Sequence, residues 1–304
     1  MLTQEQLADR KNQIGGSDIG SIMGFNPYKT ALEVWAEKTG AIEPKDLSDN
    51  ESVRTGNDLE DIVCRRFTEE KGLKIRRDNR TFKHEKYTFL VAHIDRRIVG
   101  SDEIVEAKTG EIWNRDKWKD GQIPRNYEAQ CQWYLGITKS SKCWIICKLG
   151  FSHKPIIRQI EFNEKEYNEM IDFAVEFWNE YVLKNIAPVA VAEDSGLLVD
   201  LHPSNKTEEL IVANEEVENM IALLQEEKMH KKGGEKTIAD LENKIKQIIG
   251  DNTGLKTEKY IVTWKTQNGA PKYLKAQMIN DGVFDDYTEE TTRRVMRVKL
   301  NKGE

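Results

Sequence analysis

The sequence predicts an α/β fold, a mixed sheet flanked by helices, followed by a C-terminal helical hairpin and a small β subdomain. Three observations predict it. Residues 74–109 carry short β-type runs, KIRRD, YTFLVAHIDRRIVG and EIVEAKT, parted by charged or glycine turns. Helical patterns lie on both sides of that stretch. A polar break near residue 203 then precedes a second helical region and two final β-type runs.

In chain order, the glycine-rich turn IGGSDIGSIMG comes first, and NPYKTALEVWAEKTG then reads as a short helix with Leu32, Val34 and Trp35 inward and Gly40 as its stop. Residues 41–50 are polar and read as loop. From Asn57 a second helix is expected, because Leu59, Ile62, Val63 and Phe67 form one apolar stripe and Gly72 ends it. After the three β-type runs come a helix over about 126–138 and the strands CWIICKL and IIRQIEF. Residues 163–187 are expected as a helix with Tyr167, Ile171, Ala174, Trp178 and Tyr181 on one side.

We place the domain boundary so that 1–202 form one domain and 203–304 the other. Residues 207–249 read as a helical hairpin, with Val217, Ile221 and Leu224 on one arm and Ile238, Leu241, Ile245 and Ile248 on the other. Gly233 and Gly234 mark the bend. A packed helix pair and a partner-binding coiled coil both fit that pattern. KYIVTWKT and TTRRVMRVKL read as strands of a small sheet.

Composition narrows the classes. The 304 residues, 38% hydrophobic with seven tryptophans, suffice for one large core or two modest ones. There is no run of 18 apolar residues, and MLTQEQLADRKNQ lacks the apolar centre of a signal peptide, so a cytoplasmic location is expected. Cys64, Cys131, Cys143 and Cys147 sit in apolar segments without paired CxxC spacing and are expected as buried free thiols. The net charge of −6 gives no global attraction to a polyanion, so nucleic-acid binding would need a local basic surface.

The chemistry concentrates in Asp95, ten intervening residues, and then Glu106-Ala107-Lys108. If AHIDRR and EIVEAK are adjacent antiparallel strands joined at Gly100, Asp95 and Glu106 lie side by side, and Lys108 shares the face of Glu106. Converging carboxylates repel unless a cation lies between them, and an all-oxygen set selects magnesium or manganese. The Ala107 carbonyl could complete the protein's share. Such a set suits phosphodiester hydrolysis, with Lys108 positioning water and phosphate. An Asp, a Glu and a Lys on ordinary strand faces is the plainer alternative.

Glu60, near the start of its helix, could point over the sheet toward such metals, or could be a solvated helix-start acid. Gln130 and Tyr134 stand one turn apart on a largely apolar helix, where polar groups call for buried partners such as a catalytic water or a phosphate. His93, two residues before Asp95, is either an added ligand or proton shuttle, or a hydrogen-bonded core histidine.

The segments IGGSDIGSIMGFNPYKTALEVWAEKTG, GNDLEDIVCRRFTEEKGLKI, FLVAHIDRRI, VEAKT and YEAQCQWYLGIT resemble, in order and approximate spacing, the YqaJ-type viral recombinase family. That family includes lambda exonuclease and belongs to the PD-(D/E)xK nuclease superfamily. The resemblance implies a restriction-endonuclease-like core in which Asp95 and Glu106 bind metal, Lys108 serves the attacking water, and Glu60 and Gln130 complete the site. Tyr134 matches the end of the family's QxxxY motif. Ser17 and Arg10 match residues that hold the terminal phosphate of a DNA end; a plain helix N-cap is the other reading of GGSD.

The resemblance further implies 5′-to-3′ exonuclease action on double-stranded DNA with Mg2+ (Mn2+ substituting), a single-strand annealing partner of the RecT/Bet kind, and a ring-shaped homotrimer in phage or prophage recombination. The tail pieces VTWKTQ and RRVMRV resemble those of longer phage members. A structure- or sequence-selective endonuclease and a non-catalytic DNA-binding or assembly protein are the competing functions.

Overall fold

The computed structural model describes residues 10–43, 50–150, 154–229, 235–268, 272–273, 288–289 and 292–301. The chain forms two compact units, Met1–Pro188 and Val189–Glu304. The break falls before the expected 202/203 position, for a physical reason. The buried Asn243 amide donates to the carbonyls of Val191 (2.7 Å) and Ala192 (3.1 Å), and Gln247 accepts from the Ala190 amide (2.9 Å). The segment after Pro188 is therefore fastened to the second unit.

The first unit is built on a five-stranded sheet in the order β1 (Ile75–Arg77), β4 (Arg96–Ile98), β5 (Ile104–Gly110), β6 (Lys142–Leu149), β7 (Ile156–Glu161). A separate short pair is made by β2 (Phe82–Lys83) and β3 (Val91–Ala92). The β5–β6 pairing is parallel and the other pairings in the large sheet are antiparallel. Parallel neighbours require a crossover, and helix Arg125–Thr138 supplies it.

Helix Glu51–Lys71 starts earlier than Asn57, because the Asn50 side chain accepts from the Ser52 and Val53 amides at 3.1 and 3.2 Å and caps it there. Gly72, at φ 68°, closes it as expected. Its inner face is Val63, Cys64 and Phe67, while Ile62 is 42% exposed, so the apolar stripe is rotated from the expected one. Val63 and Phe67 pack with Ile98, Val105 and Ile146 under the sheet, each fully buried side chain contributing about 1.5–3 kcal/mol. The glycine-rich IGGSDIGSIMG is not a turn throughout, since Gly16–Ile22 is a helix.

The expected 163–187 helix is α-helical over Glu164–Glu176 and widens to a π-turn at Phe177–Val182. Met170 and Phe177 join Tyr167, Ile171 and Ala174 in the core, and Trp178, in the widened turn, stacks on Phe89 at 4.8 Å.

In the second unit a four-stranded sheet runs β13 (Thr292–Leu300), β10 (Tyr260–Asn268), β9 (Gly254–Lys256), β8 (Leu210–Val212). The expected C-terminal strands pair antiparallel from Tyr260↔Leu300 to Asn268↔Thr292. A further pair is β11 (Lys272–Tyr273) with β12 (Thr288–Glu289). The hairpin is present as Glu215–Met229 and Glu235–Ile249; its expected bend at Gly233 and Gly234 lies outside the described residues, as do residues 44–49 of the expected loop. It begins later than 207, because Leu210–Val212 is a strand and Asn214 caps the helix through the Val217 amide. Ile249 takes the core place expected of Ile248.

All four cysteines are buried and free. Among the described residues no helix is long and apolar enough to cross a membrane.

Candidate active site

Every residue singled out from the sequence lines one cavity of about 430 Å³: Arg10, Ser17, Glu60, His93, Asp95, Glu106, Ala107, Lys108, Gln130 and Tyr134. Its floor is the point where β4 and β5 diverge. Their ladder pairs Arg97 with Ile104 and Arg96 with Val105, and one step further Asp95 stands across from Glu106. Asp95 is at a bend and not on a strand. The AHIDRR run serves two sheets, with Val91 bound to Ile14 and β2 while Arg96 begins β4, and the crossing between them falls at His93–Asp95.

The Asp95 carboxylate takes the place of a strand partner, accepting the Ala107 amide at 2.8 Å. Glu106 is 3% exposed; its Oε1 accepts from the Lys108 ammonium at 2.7 Å, and its buried Oε2 has no hydrogen-bond donor among the described residues. Burial, then the neighbouring Asp95 charge, pushes the Glu106 carboxyl up to about 8 against the pull of Lys108. Burial raises Asp95 as well, outweighing Lys108 and the Ala107 amide. Burial would lower Lys108, but the two carboxylates hold it above its ordinary value, so it stays an ammonium.

A divalent cation fits this arrangement. Two carboxylates held close in a desolvated site, one oxygen without a donor among the described residues, are answered by a hard cation with oxygen ligands. Among the described residues no group of three His, Cys, Asp or Glu side chains could hold a metal by itself.

Glu60 lines the cavity but is engaged elsewhere. Arg96, with its side chain 6% exposed, spans Glu60 and Asp61 at 2.6 Å each and also donates to the Asp95 carbonyl at 2.7 Å. Through Oε1 of Glu60 the guanidinium balances part of that carboxylate's charge. The Gln130 side-chain amide donates to the Tyr134 hydroxyl at 2.7 Å. The Tyr134 phenol, raised first by burial and then by Glu106, remains protonated. His93, half-buried, hydrogen-bonds Thr81 at 3.0 Å, and burial lowers its pKa.

The wall opposite is helix Gly16–Ile22. Its buried Asp18 accepts the Gly15 amide at 3.1 Å and the Lys38 ammonium at 2.8 Å. Burial alone would raise Asp18, but Lys38 and Lys29 hold it at about 2. Ser17 is exposed on this helix, and Arg10 lies in the preceding turn. Gly16 is required by packing, since a Cβ there would come within 2.4 Å of the Tyr134 ring. Sequence reasoning missed Arg96 and the Asp18–Lys38 pair. The Arg next to Asp95 was a visible signal, whereas the partner of Asp18 lies twenty residues away with no pattern to join them.

A mixed sheet flanked by helices, carrying an Asp/Glu/Lys cluster where two strands part, defines the class: an α/β protein with the fold of an alkaline exonuclease. The chain belongs to the YqaJ-like viral recombinase family. The family's domain description matches residues 5–141. The uncharacterized protein YqaJ of Bacillus subtilis (strain 168) is 33% identical over 309 residues, spanning 98% of this chain and 95% of that protein. Among solved structures, the alkaline exonuclease LHK-Exo from Laribacter hongkongensis superposes with a TM-score of 0.51 at 18% identity, over 60% of this chain and 94% of that one. The same exonuclease in complex with dAMP gives 0.52 with the same coverage. At that identity the likeness is one of fold.

Proposed function

We propose that the protein is a magnesium-dependent exonuclease, with manganese able to substitute, that enters double-stranded DNA at its ends and degrades 5′-to-3′, leaving 3′ single strands for phage or prophage recombination. The observation that carries the reading is the buried oxygen of Glu106, without a hydrogen-bond donor among the described residues, beside Asp95 and Lys108 in one cavity with Ser17 and Arg10. Asp95, Glu106 and the Ala107 carbonyl would hold the cation, whose chemistry is to acidify a water and neutralise phosphate oxygens. Lys108 keeps its charge and orients water and phosphate. Gln130 and Tyr134 brace the rim beside Glu106, and Glu60, tied to Arg96, supports the bend at Asp95.

Ser17 and Arg10 would take the terminal 5′-phosphate, which bears more charge and one more free oxygen than an internal diester. In the same proposal the chain works as a ring-shaped homotrimer beside a single-strand annealing protein of the RecT/Bet kind, in the cytoplasm of the host cell. A ring lined by basic residues reconciles a net charge of −6 with DNA binding.

Linear and closed-circular duplexes, labelled at either end and incubated with and without Mg2+, test the reading. Digestion of the linear form alone from its 5′ ends supports it. Cutting of closed circles replaces it with an endonuclease, and binding without cleavage replaces it with a non-catalytic protein.

A further inference from the structure

The four-stranded sheet of the second unit has two faces of opposite chemistry. Inward, Leu255, Val262 and Trp264 are buried, and the buried Arg294 guanidinium donates to the carbonyls of Trp264, Gly250 and Asn252. Side chains alternate along a strand and paired residues share a face, so the intervening positions point outward. They include Arg293, Arg297 and Lys299 of β13, Lys265 of β10 across from Val295, and Lys256 of β9 across from Ile261. All five cations are exposed.

No Asp or Glu occurs in the four strands, although acids outnumber bases 52 to 46 in the chain. Elsewhere in the same unit cations meet acids: Lys228 and Lys246 lie on Glu242, and Lys236 on Glu193. Of the five on the sheet face, only Lys265 has such a partner among the described residues, Glu208 at 3.5 Å. Like charges gathered on one face repel each other, and a basic stripe of this kind is the footprint of a polyanion.

Which polyanion follows from what the face lacks. None of its outward positions bears an aromatic ring on which an unpaired base could stack, and the buried Trp264 is covered by Arg294, whose guanidinium carbon lies 3.6 Å from the ring centre. Cations without rings meet phosphates and not bases, and a duplex presents its phosphates on the outside. From Arg293 to Lys299 the row is about 20 Å long, enough to follow several phosphates.

We propose that this face is a second DNA-binding surface, which holds the phosphate backbone of intact duplex without regard to sequence and without need of an end. It rests on the nuclease reading only for the choice of DNA among polyanions. Contacts of this kind keep a protein on duplex while letting it slide, so the surface turns the search for an end from three dimensions into one.

The full-length protein tests it by two measurements. Binding of a closed-circular duplex is followed over a range of salt in EDTA, since a circle offers no end and EDTA stops cleavage. Arg293→Gln, Arg297→Gln and Lys299→Gln together should lower the slope of log affinity against log salt by up to about 2.7, and Arg297→Gln alone by about 0.9. The charge-keeping pair Arg293→Lys and Arg297→Lys should retain the wild-type slope, and melting curves show that each variant is folded. Digestion with Mg2+ is then compared on long and short linear duplexes at equal end concentration. Wild type should favour the long one, and the triple variant should bring the ratio toward unity. An unchanged slope on the circle in folded variants overturns the surface, as does a loss confined to single-stranded circles. A length preference that the triple variant keeps overturns the search role. Circle binding that needs these residues, in a wild type that digests no linear DNA, keeps the surface and overturns the nuclease reading instead.

Discussion

The Asp95 carboxylate accepts the backbone amide of Ala107 at 2.8 Å, so the residue at the bend is locked to the strand that carries Glu106 and Lys108. One acid is thereby fixed through the backbone of the other, and the separation of the two carboxylates does not depend on a long side chain finding its place.

Asp95→Ala and Glu106→Ala should each lower the rate of DNA hydrolysis on the order of 10²-fold or more while end binding persists. Near wild-type cleavage by either variant in a gel assay would overturn the assigned site. Lys108→Arg should retain DNA binding and cleave poorly, because the planar guanidinium cannot sit where the ammonium does.

Cation binding should release protons. With Glu106 raised by burial and by Asp95 to about 8, the metal-free protein still carries that proton at neutral pH. The unfolded chain ionises this group near 4.5, so the Glu106 contribution makes the metal-free protein progressively less stable as pH rises from 4.5 toward 8. Calorimetry in buffers of different ionisation enthalpy should count up to about one proton released per Mg2+ at pH 7 and almost none at pH 9. A proton count independent of pH would exclude this coupling.

The Asp18–Lys38 pair acts in the opposite sense. Asp18 is held at about 2 against an ordinary 3.8, so its stabilisation is present above 3.8 and is lost as pH falls toward 2. Lys38→Met, leaving a buried carboxylate with the Gly15 amide and the more distant Lys29, should cost about 3 kcal/mol at pH 7 and noticeably less at pH 3. Urea melts at the two pH values check it; an equal loss at both would remove the charge explanation.

Gly16→Ala should cost about 1–3 kcal/mol, because the added methyl meets the Tyr134 ring in a place where that ring is 6% exposed and cannot swing aside. The same shift would pull the phenol from Gln130, so cleavage should fall by more than a melting curve accounts for. A variant with normal melting and normal cleavage would show that the contact is dispensable.

Digestion of 5′-phosphorylated linear duplex should outpace that of 5′-hydroxyl duplex, with the ratio shrinking in high salt and approaching unity in Arg10→Ala and Ser17→Ala. Equal rates on both ends in wild type would remove the end-binding role.

The site was legible in the sequence because its parts are local: Glu106 and Lys108 two apart, Gln130 and Tyr134 one turn apart, Gly72 and Gly40 at helix ends. The mixed sheet with flanking helices and the C-terminal hairpin were legible from periodicity. What escaped depends on long-range partners. That Asp95 lies off the strand follows from β3 joining Ile14 and β2, and the engagement of Glu60 follows from Arg96, thirty-six positions along the chain. The earlier domain break follows from Asn243 reaching back to Val191, and the delayed hairpin from β8 pairing with β9. Apolar stripes show which residues can be buried, but side-chain bonds to distant backbone decide where an element begins.

The parting of β4 and β5 beyond Val105 divides the centre into a stiff half and a compliant half. Glu106 and Lys108 belong to a strand laddered along its whole length to β6, whereas Asp95 stands outside any ladder and is fastened there by its own carboxylate and by the Arg96 guanidinium on its carbonyl. Opening free energies within one protein range from nearly zero up to that of global unfolding, and isolated attachments yield before continuous ladders. Under mild denaturant, catalysis should therefore vanish while the sheet is still intact, with amide hydrogens of the bend exchanging long before those of β5. The enzyme would then be switched off by a local event, and would recover on dilution at the pace of closing a short loop rather than of refolding a domain.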